Sequence, residues 1–389
     1  MKKKLVVLGK GTAGAQAMAH CVRWLPNHEL EWHFDPKVPV QTVGEGSNLS
    51  FGIRMFENLG FSHEDLRHVD GTFKTGIAKE GWGKTGAPFF HDFAPPTISH
   101  HFNAVKLQDY IFSKLKDKVK IVEHNITSDQ IDADFVMDCS GKPSSLEAFD
   151  IPKYIPVNAV HVTQCFWEYP RFQHTLTIAR PYGWVFGIPL ANRCAIGYMY
   201  NKDINTLEEV KEDVKYMFEK YNLTPSDTTN TFSFGNYTRK KNFTDRIAYN
   251  GNASFFLEPL EATSISAMHL IQHKALDVWF NGGSIDKANE EYKTYLTHIE
   301  RFIMMHYYAG SPFKTPFWDF AQERGIRCME DEVKNDELFK SLYKLQKEAK
   351  SFGHCVDIKA PLYSIWWVGS FFQNIRGLGI EENLDSLFS

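Results

Sequence analysis

The amino-acid sequence predicts an α/β fold: a doubly wound parallel sheet that carries an inserted antiparallel sheet and ends in a helical region. Three observations lead there. The chain opens on an apolar strand pattern, "KLVVL", followed by a glycine turn, a helical pattern and a second strand pattern. Its middle is rich in β-branched and aromatic residues broken by turn signals, which reads as antiparallel strands. Its last third has helical periodicity, clearest in "DKANEEYKTYLTHIERFIMMHYY".

"KLVVL" is a short continuous apolar run, the pattern of a strand buried on both faces. "AQAMAHCVRWL" is helical and is stopped by Pro26, which cannot continue a helix. "LEWHF" is a second strand that ends at Asp35. Together they form a β-α-β unit, the entry of a doubly wound sheet. A helix is predicted over 104–116, a strand over 119–123 and a buried strand in "ADFVMDCSG". "AVHVTQCFWEY", "HTLTIARPYGWVFGIPL" and "RCAIGYMYN" supply the antiparallel sheet. A helix is predicted over 206–221 and a strand near 246–249.

Composition narrows the function classes. A net charge of −4 offers no electrostatic case for nucleic acid, which needs a basic surface. No apolar run approaches a membrane span, and the run from Leu5 to Leu8 is too short for a signal peptide. The six cysteines are scattered without a C-x-x-C pair, so neither a metal site nor a disulfide framework is expected, and a reduced, cytoplasmic setting fits. Aromatic residues make up 14% of the chain, enough to line a pocket for a flat ligand as well as to fill a core.

Gly9-Lys10-Gly11-Thr12-Ala13-Gly14 fits the dinucleotide-binding spacing G-x-G-x-x-G. Gly9 allows the tight turn, Gly11 lets the backbone approach a pyrophosphate, and Gly14 permits close packing of helix on strand. The helix start at Thr12 and Ala13 offers unpaired N–H groups to the phosphates, and Asp35 is placed to take a ribose hydroxyl. Two distant stretches favour FAD over NAD. "DCSG", with Asp138 and Gly141, ends a later strand, and "GNA", with Gly251 and Asn252, comes later still. A ligand reached from three such points is long, as FAD is in the flavoprotein monooxygenase fold. The expected organisation is an FAD-binding domain in two parts, 1–150 and 245–300, with an antiparallel substrate region at 151–244 and a helical substrate region at 301–389.

Several motifs in fixed order resemble the flavin-dependent halogenases, the tryptophan-halogenase group above all. They are "GKGTAG", "TVGEGSN" (42–48), "TFKTGI" (72–77), "DCSG", "GWVFGIP" (183–189), "GNASFFLEPLEATSI" (251–265) and "HYYAGSPFKTPFW" (306–318). The resemblance implies an FAD-dependent enzyme in which reduced FAD and O2 convert halide to hypohalous acid. The oxidant then passes through an internal tunnel to a lysine beside an electron-rich aromatic substrate. Lys74 matches that lysine and Glu261 the active-site glutamate. Thr263 and Ser264 match the halide pair, where the family usually has glycine at the second position. Gly44, Glu45, Trp184 and Pro259 fall in flavin-contacting motifs, and Phe186 replaces the second tryptophan of W-x-W-x-I-P. Phe186, Phe317 and Trp318 are candidate substrate-pocket aromatics. No second Rossmann glycine loop is evident, so reduced flavin is expected from a separate reductase by diffusion, with O2 and halide as co-substrates.

On their own residues these positions read more plainly. Lys74 sits in an alternating segment and by itself reads as a solvated strand lysine. Pro259 suits a first helical turn, which would place Glu261 near the third helical position, where a carboxylate can cap. The alternatives are an aromatic hydroxylase and a flavin-binding protein without catalysis. Hydroxylation needs neither an amine relay nor a halide site.

Overall fold

The computed structural model describes residues 2–39, 44–93 and 97–389. Thr42 and Val43 of the "TVGEGSN" motif lie outside the described residues. The chain forms two compact units, each assembled from three segments: Met1–Gly71, His100–Ile151 and Asn236–Leu296 in the first, and Thr72–Ser99, Pro152–Gly235 and Thr297–Ser389 in the second.

The first unit is built on a five-stranded parallel sheet in the order Ile247–Tyr249, Phe135–Asp138, Lys4–Leu8, Glu29–Phe34, Lys120–Glu123. Its central strand is apolar because both faces are covered, and Leu5, Val6 and Val7 have no exposure. The helix Thr12–Trp24 follows the first strand and buries a run from Gly14 to Cys21. Small residues let it lie close to the sheet: a Cβ on Gly14 would stand 2.0 Å from the Gly9 carbonyl oxygen. The helices Leu49–Leu59 and Ser264–Phe280 pack with Thr12–Trp24. The sequence reading did not foresee Leu49–Leu59. It starts at Asn48, whose side chain accepts from the Ser50 N–H, and stops at Gly60 in the left-handed conformation.

The second unit holds a seven-stranded sheet in the order Thr224–Ser233, Ala159–Phe166, Arg193–Tyr200, Gly183–Pro189, Thr175–Arg180, Gly76–Glu80, Phe89–Asp92. Pairing is antiparallel except where Thr175–Arg180 meets Gly76–Glu80 in parallel. This corrects the expected boundary, since residues 72–99 belong with the antiparallel sheet and not with the dinucleotide-binding part. One sheet face packs Ile178, Val185, Ile196 and Tyr198 against Val210, Val214 and Met217. Val210 and Met217 come from two short helices, Leu207–Asp213 and Lys215–Lys220, and Val214 from the junction between them, where one helix over 206–221 was expected. Arg180 pairs with Asp213 at 2.6 Å beneath them.

Helices complete the second unit, including Pro316–Cys328, Glu337–Glu348 and Val368–Leu378. Trp366 stacks on Phe302 with centroids 3.8 Å apart, so it fills the core. Glu300 lies among these helices with one carboxylate oxygen buried and without a hydrogen-bond partner. Burial raises its pKa from 4.5 to about 7, helped by the nearby Glu332 and opposed by a hydrogen bond from the Tyr154 backbone. The unfolded chain therefore loses this proton at lower pH than the folded one. Its contribution to stability is full below pH 4.5 and is lost as pH rises through 7. Glu300→Gln is expected to be more stable than the wild type at pH 8 by roughly 1–3 kcal/mol. Urea unfolding checks this, and the gap should close toward acidic pH.

Candidate active site

Three distant stretches of the first unit meet at the end of the central strand. The Gly9 N–H donates to the His33 carbonyl at 2.7 Å, and the Trp32 indole donates to the Gly9 carbonyl at 2.8 Å, which fixes the turn. Gly9 has φ of 107°, and a Cβ there would lie 2.2 Å from the Cys139 carbonyl oxygen. The Asn250 N–H donates to the Asp138 carbonyl at 2.8 Å, and a Cβ on Gly251 would stand 2.5 Å from that of Ala13. "GKGTAG", "DCSG" and "GNA" thus form one continuous surface. Asp138 caps its own turn by accepting the Ser140 N–H at 2.9 Å, and Gly141 follows with φ of 103°. Asp35, half-buried, ends the second strand and accepts the Lys37 N–H.

These residues fit a dinucleotide. No side chain caps the helix that starts at Thr12, so its first N–H groups stay available to an anion. Above Gly11 the space is open, with nothing within 4 Å of where a Cβ would be. Asn252 is half-buried beside this surface, and its carbonyl accepts the Tyr237 hydroxyl at 2.9 Å. Glu45 is buried, and its carbonyl accepts the Phe102 N–H at 3.0 Å, holding Gly44 and Glu45 within the same unit.

The "EPLEATS" segment differs from its expected form. Pro259 is exposed, and the long helix begins at Ser264, not near Pro259. Glu261 and Ala262 precede it with φ of 71° and 55°, both left-handed. Side chains other than glycine rarely take that conformation, which costs about 1–2 kcal/mol each and clusters at functional sites. Glu261 is therefore not a third-position helix cap. It is 6% exposed, and Glu258 is fully buried. Thr263 is buried and Ser264 half-buried at the helix start, whose N–H groups no side chain caps. The Thr263 carbonyl accepts the Ser266 hydroxyl at 2.7 Å.

Lys74 belongs to the second unit and is not a solvated lysine. It has no exposure, and its amine lies 5.4 Å from the centre of the Phe93 ring. The strand Thr72–Lys74 is pinned by the Thr72 hydroxyl, which donates to the Pro189 carbonyl at 2.7 Å, and by Thr75, whose N–H and hydroxyl both donate to the Gln173 carbonyl. Pro189 ends the "GWVFGIP" strand, so the lysine and that motif are locally joined. Trp184 and Phe186 project from one face of the strand with centroids 6.2 Å apart. The Trp184 indole N–H is buried without a hydrogen-bond partner, and the Phe186 ring covers Gly197. Trp184 thus lies in the second unit, apart in the chain's organisation from the glycine loop.

Phe317 and Trp318 are core residues. Trp318 donates its indole N–H to the Arg180 carbonyl at 2.7 Å and packs edge-on against Trp82 and Phe317. The aromatic ring beside the Lys74 amine is instead that of Phe93, which itself meets His91 edge-on with ring centroids 6.1 Å apart. The sequence reading missed both. The alternation in "FFHDF" was the available signal.

The family model for tryptophan halogenases matches residues 4–128 and 113–352. The chain belongs to the tryptophan halogenase family. Members are FADH2-dependent oxidoreductases. A tryptophan 7-halogenase, RebH, from Lentzea aerocolonigenes is 22% identical over 98% of this chain and 91% of its own length. A tryptophan 6-halogenase, ThaL, from Streptomyces albogriseolus is 24% identical over 76% of this chain, which spans 61% of ThaL. Two solved flavin-dependent halogenases share the fold. One from Xanthomonas campestris superposes with a TM-score of 0.80 at 16% identity, covering 100% of this chain and 94% of that one. BrvH from Brevundimonas sp. BAL3 gives 0.78 at 17% identity, covering 97% and 90%. Family membership accounts for the fold and the motif order. Among the described residues, no helix is long and apolar enough to cross a membrane.

Proposed function

We propose that this protein is an FAD-dependent halogenase that uses reduced FAD, O2 and halide to halogenate an electron-rich aromatic substrate. The observation that carries the reading is the wholly buried amine of Lys74 beside an aromatic ring. A buried amine shifts its pKa readily, which suits it to acid–base work on a bound reactant. Bound reduced FAD would supply two electrons and halide two more, turning O2 and a proton into hypohalous acid and water.

The remaining steps belong to the protein. The uncapped helix start at Thr263 and Ser264 favours a halide. The Lys74 ammonium donates to the oxygen of hypohalous acid and polarises its bond to the halogen. An aromatic carbon takes the halogen, and the oxygen leaves as water with the lysine proton. The proton released by the ring carbon goes to a base, the role that the family resemblance gives Glu261. Once the base releases its proton to solvent and Lys74 takes one up, the sum is ArH plus HOX giving ArX plus water. Phe186 is assigned to the substrate pocket and Trp184 to the flavin, as the resemblance implies. Reduced flavin comes by diffusion from a separate reductase.

A mass-spectrometric screen tests the proposal. The purified protein is supplied with FAD, a reductase and chloride, bromide or iodide, and offered indoles, phenols and pyrroles. A halogenated product that depends on the protein is expected. Hydroxylated product without halogenation would favour the hydroxylase reading.

Ser264 sets halide preference in this reading, because it places a side chain where the family usually has none. Bromide or iodide is expected to be used more readily than chloride, and Ser264→Gly should shift the ratio toward chloride. The ratio of products from mixed halides measures this. Unchanged ratios would clear Ser264 of the role.

A further inference from the structure

A line of buried polar groups crosses the first unit behind the flavin surface. His269 lies on the Ser264–Phe280 helix and is 7% exposed. Its Nε2 is 2.7 Å from the side-chain amide of Gln16, on the helix that follows the glycine turn. Its Nδ1 is 3.1 Å from the Ser50 hydroxyl. Ser50 in turn is 2.7 Å from Asn48 Oδ1, and Asn48 Nδ2 reaches the Ala262 carbonyl at 3.5 Å, the longest link.

The direction of each bond follows from proton counting. Asn48 Oδ1 is fixed as an oxygen because it accepts the Ser50 backbone N–H at 3.1 Å. The single proton of the Ser50 hydroxyl then goes to Asn48, and Ser50 can only accept from His269. So His269 carries its proton on Nδ1. Burial, with Arg54, His20 and His273 nearby, lowers its pKa from 6.5 to about 3, so the ring is neutral and Nε2 is an acceptor. Gln16 must therefore present its NH2 group to Nε2. The opposite orientation, with Oε1 facing Nε2, would require a doubly protonated ring. The result is a relay in one direction: Gln16 to His269, His269 to Ser50, Ser50 to Asn48, Asn48 to the Ala262 carbonyl.

We propose that His269 is a positioning residue that holds the left-handed Glu261–Ala262 turn in register with the two loops of the flavin surface. This rests on the assignment of those loops and of the halide pair made above. The relay ends on one of the two strained residues and begins on the helix of the glycine turn. Its middle caps the helix that follows Gly44 and Glu45. Three segments from distant parts of the chain, each next to a candidate ligand-binding loop, are tied through one imidazole. Two adjacent left-handed residues need such support, because their conformation is not stable by itself.

The test compares His269→Phe, His269→Gln and Ser50→Ala in the full chain. Phenylalanine keeps the ring volume without its nitrogens. Glutamine restores one acceptor and one donor. Oxidised FAD affinity is read by fluorescence quenching, and iodide affinity by the iodide dependence of Tm. His269→Phe and Ser50→Ala are expected to weaken both ligands by roughly fivefold, the loss of one buried hydrogen bond. His269→Gln should return both to within about twofold of the wild type. A phenylalanine variant with lowered Tm but unchanged affinities would reduce His269 to a packing residue and overturn the proposal. So would a glutamine variant no better than phenylalanine. If the wild type binds FAD but shows no iodide dependence, the halide assignment fails, and the FAD affinities of the three variants still decide the role of His269.

Discussion

Lys74→Ala is expected to lower halogenation by roughly 10²–10⁴-fold, the usual contribution of a positioned acid catalyst. FAD affinity and oxygen consumption by reduced flavin should stay near the wild-type level. The separation follows from the architecture. Lys74 belongs to the second unit, while the glycine turn, "DCSG" and "GNA" belong to the first. Its amine acts only after hypohalous acid has formed. Lys74→Met preserves side-chain volume as a second version, and circular dichroism confirms that each variant folds. Product is read with a scavenger of free hypohalous acid present. Near-wild-type product from both variants would take the lysine out of the mechanism and return the hydroxylase to first place.

Gly11→Val should abolish FAD binding without unfolding the protein. Gly11 has φ of −65°, which any residue can adopt, and nothing stands within 4 Å of its Cβ position. The valine side chain would therefore occupy space that only a pyrophosphate would otherwise use. Gly14→Ala provides the contrast. Its Cβ would meet the Gly9 carbonyl oxygen at 2.0 Å, so backbone must move and stability should fall before binding is considered. Circular dichroism and FAD quenching on the two variants distinguish the cases. A folded Gly11→Val protein with wild-type FAD affinity would remove this turn from the flavin site.

The β-α-β entry was legible because two periodicities and a glycine turn agree over one short stretch, from Lys4 to Phe34. Convergence of "GKGTAG", "DCSG" and "GNA" was legible too, since each follows a strand or strand-like run. Other features left no local mark. The strand Thr224–Ser233 is mostly exposed and reads "TPSDTTNTFS", so no apolar alternation announces it. The burial of Lys74 contradicts the pattern of its own segment, because a charged side chain takes the inward position of the strand. The turn at Glu261 and Ala262 lacks the glycine that normally signals positive φ. Each is a place where tertiary surroundings override local preference.

The alternation of the two units along the chain shapes how the protein is made. The parallel sheet receives its fifth strand, Ile247–Tyr249, only after the whole seven-stranded sheet has been synthesised. The seven-stranded sheet in turn waits for helices that begin beyond Thr297. Neither unit can close while the ribosome is still translating the first two-thirds of the message. The nascent chain must carry two half-built layers at once, with Phe135–Asp138 as an apolar edge awaiting its neighbour. Such intermediates are prone to aggregate and are natural clients of chaperones. For the same reason, no single cut of this polypeptide leaves either unit with all of its segments, and recombinant expression calls for slow synthesis of the intact chain.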